Sequence, residues 1–143
     1  MPAAFPHHYE VGLRGEGDGG VLVAEARPPI RGGAPASFDG SDAWWSPEHL
    51  LLSSLNLCLF TTLGALAAKA KLAVSDYASR AEGVLDKTAA GLAFTSITLR
   101  VELTVPAGET ERAGRLLETA KKHCIVSNSL RPPVTLAASV RAD

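Results

Sequence analysis

The chain has 143 residues, of which 46% are hydrophobic and 20% charged, and its formal net charge is -1. This length and composition fit a single domain, residues 1–143, that buries its own core without disulfide or metal staples. The near-neutral charge gives no electrostatic support for binding nucleic acid. Residues 1–10 have no apolar core of the signal-peptide kind, so we expect a cytoplasmic protein.

A β-hairpin is predicted first along the chain. Apolar and polar residues alternate over residues 9–14, and residues 21–26 are predicted to form the return strand. Residues 15–20 are Gly and Asp with one Glu, and Gly and Asp tolerate the positive φ that a hairpin turn needs. Residues 28–35 are rich in Pro and Gly and are expected to form a loop, followed by a short extended piece at residues 37–38.

The strongest predicted element is a long helix that begins at Ser46. Ser46 suits the N-cap, Pro47 suits the first turn, and Glu48 carries the charge that the helix dipole favours there. Residues 50–68 contain no charged side chain, and lysines follow where a helix favours cations. Apolar side chains fall on every side, which is typical of a helix that is buried all round or spans a membrane.

The charge-free run is long enough for a membrane span. Five polar side chains interrupt it, and its flanks have the pattern of soluble β-structure. These five are Ser53, Ser54, Asn56, Thr61 and Thr62. We therefore predict no membrane span but a central helix wrapped by sheet. A chain of this size covers such a helix poorly by itself, which favours a partner subunit.

Two neighbouring strands are predicted after the helix. Residues 94–105 alternate between apolar and polar side chains along their whole length, which indicates a strand. Residues 73–87 are predicted to be its antiparallel neighbour, with a turn at residues 89–91.

A helix and a last strand complete the chain. Residues 109–122 have helical spacing, and residues 127–130 suit one further helical turn before two prolines. Residues 134–140 alternate again and predict a strand. The order of elements indicates an α+β fold with an antiparallel sheet, and not a βαβ repeat.

The two cysteines, Cys58 and Cys124, have two interpretations. A structural disulfide is disfavoured in a reducing compartment, so they are either buried apolar fillers, which composition alone favours, or a reactive couple. Cys58 lies inside the apolar helix, where desolvation raises a thiol pKa, and no residue close to it in sequence is basic. Cys124 follows a helix end beside Lys121, Lys122 and His123, which lowers a thiol pKa, although simple packing explains it equally well.

Metal binding and hydrolase chemistry have little support in the sequence. His7 and His8, His49 and His123 show none of the paired spacing that zinc sites prefer. No G-x-S-x-G motif is present. A catalytic pair of Cys58 with His49 or His123 depends on the fold. We expect no metal and no other cofactor.

Four blocks of the sequence resemble the OsmC/Ohr family. The first, residues 46–58, is a Pro-Glu pair followed by small and apolar residues and then Cys58. The others are Gly-Val-Leu-Asp-Lys at 83–87, Phe-Thr-Ser-Ile-Thr-Leu at 94–99 and His-Cys-Ile-Val-Ser-Asn-Ser-Leu at 123–130. The resemblance implies an intertwined homodimer, in which an antiparallel sheet wraps the long central buried helix and two sites lie at the subunit interface.

The resemblance also implies an activity and three site residues. The family includes organic hydroperoxide reductases, in which one cysteine becomes a sulfenic acid, a second condenses with it, and a dithiol reductant restores both thiols. Cys58 resembles the peroxidatic thiol, Cys124 the resolving thiol, and Glu48 the glutamate that holds a thiolate-activating arginine. Taken alone, Glu48 is equally well explained as an acid in a first helical turn.

The sequence departs from the family pattern at that arginine. In several members it stands directly before an aromatic-acidic-glycine segment, whereas Ser37 precedes that segment, residues 38–40, here. Arg27 and Arg31 lie nearby and are the candidates for activating Cys58, although each is also explained as a solvated loop charge. Without such a cation, Cys58 is a poor nucleophile at neutral pH.

The leading hypothesis is a thiol peroxidase for organic hydroperoxides, with hydrogen peroxide as a further substrate. One alternative is a non-catalytic protein of the same fold that binds a small apolar ligand, or senses oxidation, at the dimer interface. Another is a redox enzyme that acts on a different electrophile.

Overall fold

The computed structural model describes residues 3–143. Met1 and Pro2, which begin the segment predicted to lack a signal peptide, lie outside the described residues. The chain divides into two compact units, Met1–Leu50 and Leu51–Asp143, and each is described by itself. That the whole chain forms a single domain stays a prediction.

The first unit contains a three-stranded antiparallel sheet. Its strands are β1 (Gly12–Glu16), β2 (Gly19–Val23) and β3 (Ile30–Gly33), in the order β1-β2-β3. The predicted hairpin is confirmed, but its turn shortens to two residues because Gly17 adopts a positive φ of 64° beside Asp18.

Two predictions in the first unit were wrong. The segment predicted as a Pro/Gly loop contains β3, which pairs with β2 over four residues. Glycines permit this pairing, since a Cβ on Gly19 would lie 2.4 Å from the carbonyl oxygen of Gly32. Residues 37–38 are not extended but belong to a 3₁₀ turn, Ala36–Phe38, in which the Pro35 carbonyl accepts the amide of Phe38 at 2.9 Å.

The long helix, α1, spans Pro47–Ala70 and confirms the predicted start. The hydroxyl of Ser46 accepts the backbone N–H of His49 at 3.1 Å, which satisfies one of the free amides of the first turn. Lys71 follows the helix in the left-handed region, with a φ of 55°.

Burial along α1 differs from the prediction. One stripe of the helix lies in the core, formed by Leu55, Leu59, Leu63 and Ala67. Within the described residues the helix is therefore not buried all round, and Leu57 and Phe60 are 62% and 48% exposed. By length and composition α1 is the one described helix that suits a membrane span, but a core helix of a soluble protein meets the same test.

The second unit contains a three-stranded sheet in the order β4-β5-β6, formed by β4 (Asp76–Thr88), β5 (Gly91–Val105) and β6 (Val134–Ala142). As predicted, β4 and β5 are an antiparallel hairpin. β6, however, runs parallel to β5, so the sheet is mixed where an antiparallel one was predicted. The reason is the connection: α2 (Thr110–His123) carries the chain back, and a helical crossover of this kind joins parallel strands.

The core of the second unit lies between the inner side of the sheet and the two long helices. Alternate residues of β5 from Ile97 to Val105 are buried there, together with the α1 stripe and with Ala113, Leu117 and Ala120 of α2. A short helix, α3 (Ile125–Ser129), follows α2 and includes part of the predicted extra turn. The fold is α+β, as predicted.

Candidate functional site

The structure brings the two cysteines together within the second unit. Both thiols are free, and each lies close enough to the other to shift its pKa. Cys58 is half-buried on α1, beside the core stripe, whereas Cys124 is fully buried. The fold thus joins two thiols that stand far apart in the sequence.

Local backbone geometry places Cys124 at a bend. It ends α2 with a φ of -68° and a ψ of 111°, and it is also the N-cap of α3. Its carbonyl oxygen accepts the amide of Asn128 at 3.0 Å, which starts α3. The first amides of α3 therefore have no partner inside that helix and are available to the two sulfur atoms.

The surroundings of Cys58 favour its thiolate. Partial burial raises the pKa of the Cys58 thiol, but hydrogen bonds outweigh that effect and leave the pKa below its ordinary value. The donors are the backbone N–H of Val126, the Cys124 thiol, the Thr62 hydroxyl and the backbone N–H of Ile125. Because these donors favour the charged form, Cys58 is the more acidic thiol of the pair.

The surroundings of Cys124 have the opposite effect. Burial raises the pKa of the Cys124 thiol, and the neighbouring Cys58 raises it further, while the amides of Ser127 and Val126 offset part of the increase. The net pKa lies above its ordinary value. Of the two thiols, Cys58 is therefore the one that ionises first as the pH rises.

Glu48 belongs to the first unit, in the first turn of α1. Its Oε2 atom is buried and has no hydrogen-bond partner within residues 3–143. An ionised carboxylate oxygen in this situation is costly unless a donor or cation reaches it. His49 follows Glu48, and its Nδ1 lies 2.6 Å from the hydroxyl of Ser46, so Ser46 is the partner of this imidazole in the described chain.

The two candidate arginines also belong to the first unit, where other groups hold them. Arg31 lies 3.3 Å from the carboxylate of Glu16, with its guanidinium carbon 4.6 Å from the ring centre of Trp44. Arg27 donates to the carbonyl oxygen of Glu25 at 2.8 Å. Arg31 thus lies on β3 instead of a loop, and its charge faces an acidic partner.

One relevant residue, Tyr77, lies in the strand predicted at residues 73–87 and was not singled out from the sequence. Its ring packs against that of Phe60 with centroids 4.9 Å apart, and both rings line cavities of about 550 and 370 Å³ beside α1. Its hydroxyl is buried and has no partner at full hydrogen-bonding distance within residues 3–143, although the Ser79 hydroxyl lowers in part the pKa that burial raises. The alternation of β4 indicates that Tyr77 points inward, but only the fold shows how deeply its polar end is buried. Among residues 3–143, no three His, Cys, Asp or Glu side chains are grouped to hold a metal ion.

Solved structures share this fold. An OsmC-like protein of unknown function from Vibrio cholerae O1 biovar eltor has a TM-score of 0.85 at 16% identity, with 94% of this chain and 100% of that chain covered. An organic hydroperoxide resistance protein from Elizabethkingia anophelis has a TM-score of 0.75 at 19% identity, with 97% and 100% covered. At such identities the likeness establishes the fold alone.

Sequence comparison establishes the family. Peroxiredoxin OsmC from Escherichia coli (strain K12) is 30% identical over 91 residues, and this match spans 64% of each chain, somewhat less than two thirds of the relative's length. Residues 40–139 match the family model of the OsmC-like proteins, which is well over half of the chain. Both findings agree with the resemblance carried by the four sequence blocks, and this chain belongs to the OsmC-like protein family.

Proposed function

We propose that this protein reduces organic hydroperoxides, with Cys58 as the attacking thiol and Cys124 as the resolving thiol. The observation that carries the proposal is the pair of adjoining free thiols whose pKa values are displaced in opposite directions. Because the thiolate is the nucleophile, the more acidic Cys58 reacts first, and the protonated Cys124 reacts in the second step.

The reaction proceeds in three balanced steps. The Cys58 thiolate attacks a peroxide oxygen, the O–O bond breaks, and the alkoxide leaves as an alcohol after taking a proton. Cys58 is then a sulfenic acid, and Cys124 attacks its sulfur, so that an S–S bond forms and the hydroxyl leaves as water. A dithiol reductant restores both thiols by exchange.

Uncharged donors near Cys58 supply part of its activation. The amides of Ile125 and Val126 and the hydroxyl of Thr62 stabilise the thiolate without a cation. Glu48 is proposed to hold a cation with its unpartnered Oε2 atom. Arg27 and Arg31 remain the candidates for this cation. Arg31 can activate Cys58 only after it separates from its acidic partner.

We also propose that the chain works as a homodimer with sites at the subunit interface. The exposed apolar side of α1 supports this, because Leu57 and Phe60 expose large apolar surfaces there. In this proposal α1 is the core helix of a soluble cytoplasmic dimer, and no membrane or nucleic acid takes part. The names of Peroxiredoxin OsmC and of the hydroperoxide resistance protein from Elizabethkingia anophelis support the peroxide chemistry.

A thiol count tests the proposed chemistry. Reduced protein is mixed with one equivalent of cumene hydroperoxide, and free thiols are counted within seconds beside Cys58→Ser and Cys124→Ser variants. We expect the parent to lose both thiols, the Cys124→Ser variant to stop at a trappable sulfenic acid, and the Cys58→Ser variant to keep its thiol. Parent thiols that survive for many minutes would show that the protein is not a peroxidase.

One observation favours a second candidate function. Arg31, one of the two candidate arginines, is engaged with Glu16 and Trp44. If no cation activates Cys58, a protein of this fold that binds a small apolar ligand or senses oxidation is the alternative. The pKa of Cys58 separates the two functions, since a value near that of an ordinary thiol favours binding and a markedly lower value favours catalysis.

A further inference from the structure

Charges are distributed unevenly along the segments that carry the two cysteines. The chain has 15 Asp and Glu residues, but residues 51–75, which contain Cys58, have none. Residues 119–142, which contain Cys124, have none either. Lysine and arginine do occur in both stretches. The segments that present the two thiols are therefore positive or neutral along their whole length, although the chain as a whole is slightly acidic.

Three cations follow or precede Cys124 closely, and we call them the basic patch: Lys121, Lys122 and Arg131. Lys121 is half-buried and the other two are exposed. The lysines belong to the last turn of α2, and the side-chain amide of Asn128 donates to the carbonyl oxygen of Lys122 at 3.1 Å, which ties α3 to that turn. Arg131 comes three residues after Asn128, so their Cα atoms lie within about 10 Å of each other. The basic patch thus spans both ends of α3.

The charge of the basic patch is not used inside the chain. Within residues 3–143 none of its three cations forms an ion pair, and the salt bridges there belong to other arginines. Glu118 lies one helical turn before Lys122 and forms no ion pair with it. The groups that lower the pKa of Cys58 are uncharged hydrogen-bond donors, so the patch does not activate that thiol.

An exposed apolar side chain lies between the two parts of the basic patch. Ile125, the first residue of α3, is 74% exposed. Lysines suit the last turn of any helix, but this large apolar side chain has no such explanation. An apolar residue surrounded by charged ones is typical of a surface that binds another protein. A symmetric contact of two copies centred on this patch would bring like charges together, which favours a different, acidic partner.

We propose that the basic patch is the docking surface for the protein that reduces the Cys58–Cys124 disulfide, and that this partner carries its dithiol on an acidic surface. The inference rests on the proposed function, in which a dithiol restores both thiols. It adds the class of the reductant and three residues outside both the cysteine pair and the Glu48–arginine set.

The reduction proceeds by two exchanges. A partner thiolate attacks the sulfur of Cys58, which is the more accessible of the pair, and the S–S bond breaks as Cys124 leaves as a thiolate and takes a proton. The second partner thiol loses its proton and attacks its own neighbour in the mixed disulfide, so that Cys58 leaves as a thiolate. The partner is oxidised to a disulfide, and two electrons pass to this chain. The basic patch speeds the encounter by attraction and takes no part in the bonds.

Timed reduction of the disulfide tests the proposal without peroxide. The disulfide is formed with diamide, a two-electron thiol oxidant, and is reduced by dithiothreitol, by a Cys-Gly-Pro-Cys peptide flanked by glutamates, or by the same peptide flanked by glutamines. The patch variant is Lys121→Gln with Lys122→Gln. The matched control is Lys69→Gln with Lys71→Gln, which changes the net charge equally at the end of α1, more than about 15 Å from Cys58 along the helix.

We expect a loss of rate that depends on the charges of both partners. At about 0.1 M ionic strength the glutamate peptide should reduce the patch variant about threefold more slowly than the parent, whereas the two uncharged dithiols should reduce both equally. The difference should vanish near about 1 M salt, because the Debye length is then only about 3 Å. Lys122→Gln alone repeats the test without changing the half-buried Lys121.

The possible failures are distinguishable. Equal slowing with all three dithiols, equal slowing in the control, or no slowing at all would overturn the docking surface. If that result comes from a parent that consumes peroxide, the proposed function still stands. A parent that ignores peroxide but shows the charge-dependent rates would overturn the proposed function instead, and a parent that forms no disulfide with diamide would overturn both.

Discussion

Ser79 donates its hydroxyl proton to the side-chain oxygen of Asn56 at 2.7 Å, and the Asn56 amide reaches back to the Ser79 carbonyl oxygen at 3.5 Å. The two contacts tie β4 to α1 two residues before Cys58. A half-buried polar pair of this kind fixes the rotation of the helix against the sheet, because a slip would leave both groups unpaired. The position of the Cys58 thiol therefore depends on a bond in which that thiol takes no part.

Replacement of Ser79 by alanine is expected to destabilise the fold. The change leaves the Asn56 oxygen without its donor and should cost about 1 kcal/mol of the free energy of unfolding. Urea titration of the reduced protein measures it. Ser54→Ala is the matched control, because that exposed hydroxyl donates to the carbonyl oxygen of Leu51 in its own helix, and a loss as large in the control would contradict the explanation.

Thr62→Val should weaken the nucleophile while keeping the shape of the side chain. The Thr62 hydroxyl helps to hold the pKa of Cys58 below its ordinary value, so its loss raises that pKa and slows alkylation of Cys58 at neutral pH by about threefold. Alkylation rates against pH, read by mass analysis at Cys58, provide the measurement. Thr61→Val is the control, since the Thr61 hydroxyl donates to the Cys58 carbonyl oxygen, and the idea fails if both variants behave alike.

Alkaline pH should reduce stability partly through Cys124. Its pKa is raised in the folded chain above the ordinary value of 9.0, so the stability that it contributes is complete below that value and is lost as the pH rises through the folded pKa. Urea unfolding of reduced protein at a series of alkaline pH values measures the fall. Cys124→Ala should show a shallower fall than the parent, whatever its stability at neutral pH, and parallel curves would contradict the assignment.

Leu57→Arg should weaken the proposed dimer without harming the monomer. Leu57 is 62% exposed on α1, so a charge there costs the isolated subunit little but is unfavourable at an apolar interface. Light scattering after size exclusion gives the mass, and circular dichroism checks the fold. Thr119→Arg, an exposed position on α2 with the same change in charge, should leave the mass unaltered. A parent that elutes as a monomer would exclude the homodimer.

Replacement by alanine should change the stability of the fold in opposite directions at two glycines. A Cβ on Gly83 would lie 2.7 Å from Cε1 of Phe94 and 3.0 Å from Cδ2 of Leu52, so we expect Gly83→Ala to cost about 1–3 kcal/mol. A Cβ on Gly114, inside α2, meets nothing within 4 Å, and Gly114→Ala should stabilise by about 0.5–1 kcal/mol. Thermal unfolding compares them, and destabilisation by both would refute the packing argument.

Local patterns predicted most of the elements. The cap at Ser46 and the charge-free run after it gave α1, and strict alternation gave β5, because each pattern reflects contacts between near neighbours. The predictions failed where tertiary contacts overrode local preference. Glycines that usually mark a loop became β3, since their missing side chains let strands approach closely, and the direction of β6 depended on the path of α2.

The amino-acid sequence by itself determined the α+β class, the long apolar helix, the family resemblance and the identity of the two cysteines. Only the tertiary structure decided that Cys58 and Cys124 are neighbours, and that their pKa values move in opposite directions. It also decided that Arg31 faces Glu16 and that the hydroxyl of Tyr77 is buried. The physical reason is that acidity and hydrogen bonding depend on burial and on donors contributed by distant parts of the chain, and sequence spacing does not encode those distances.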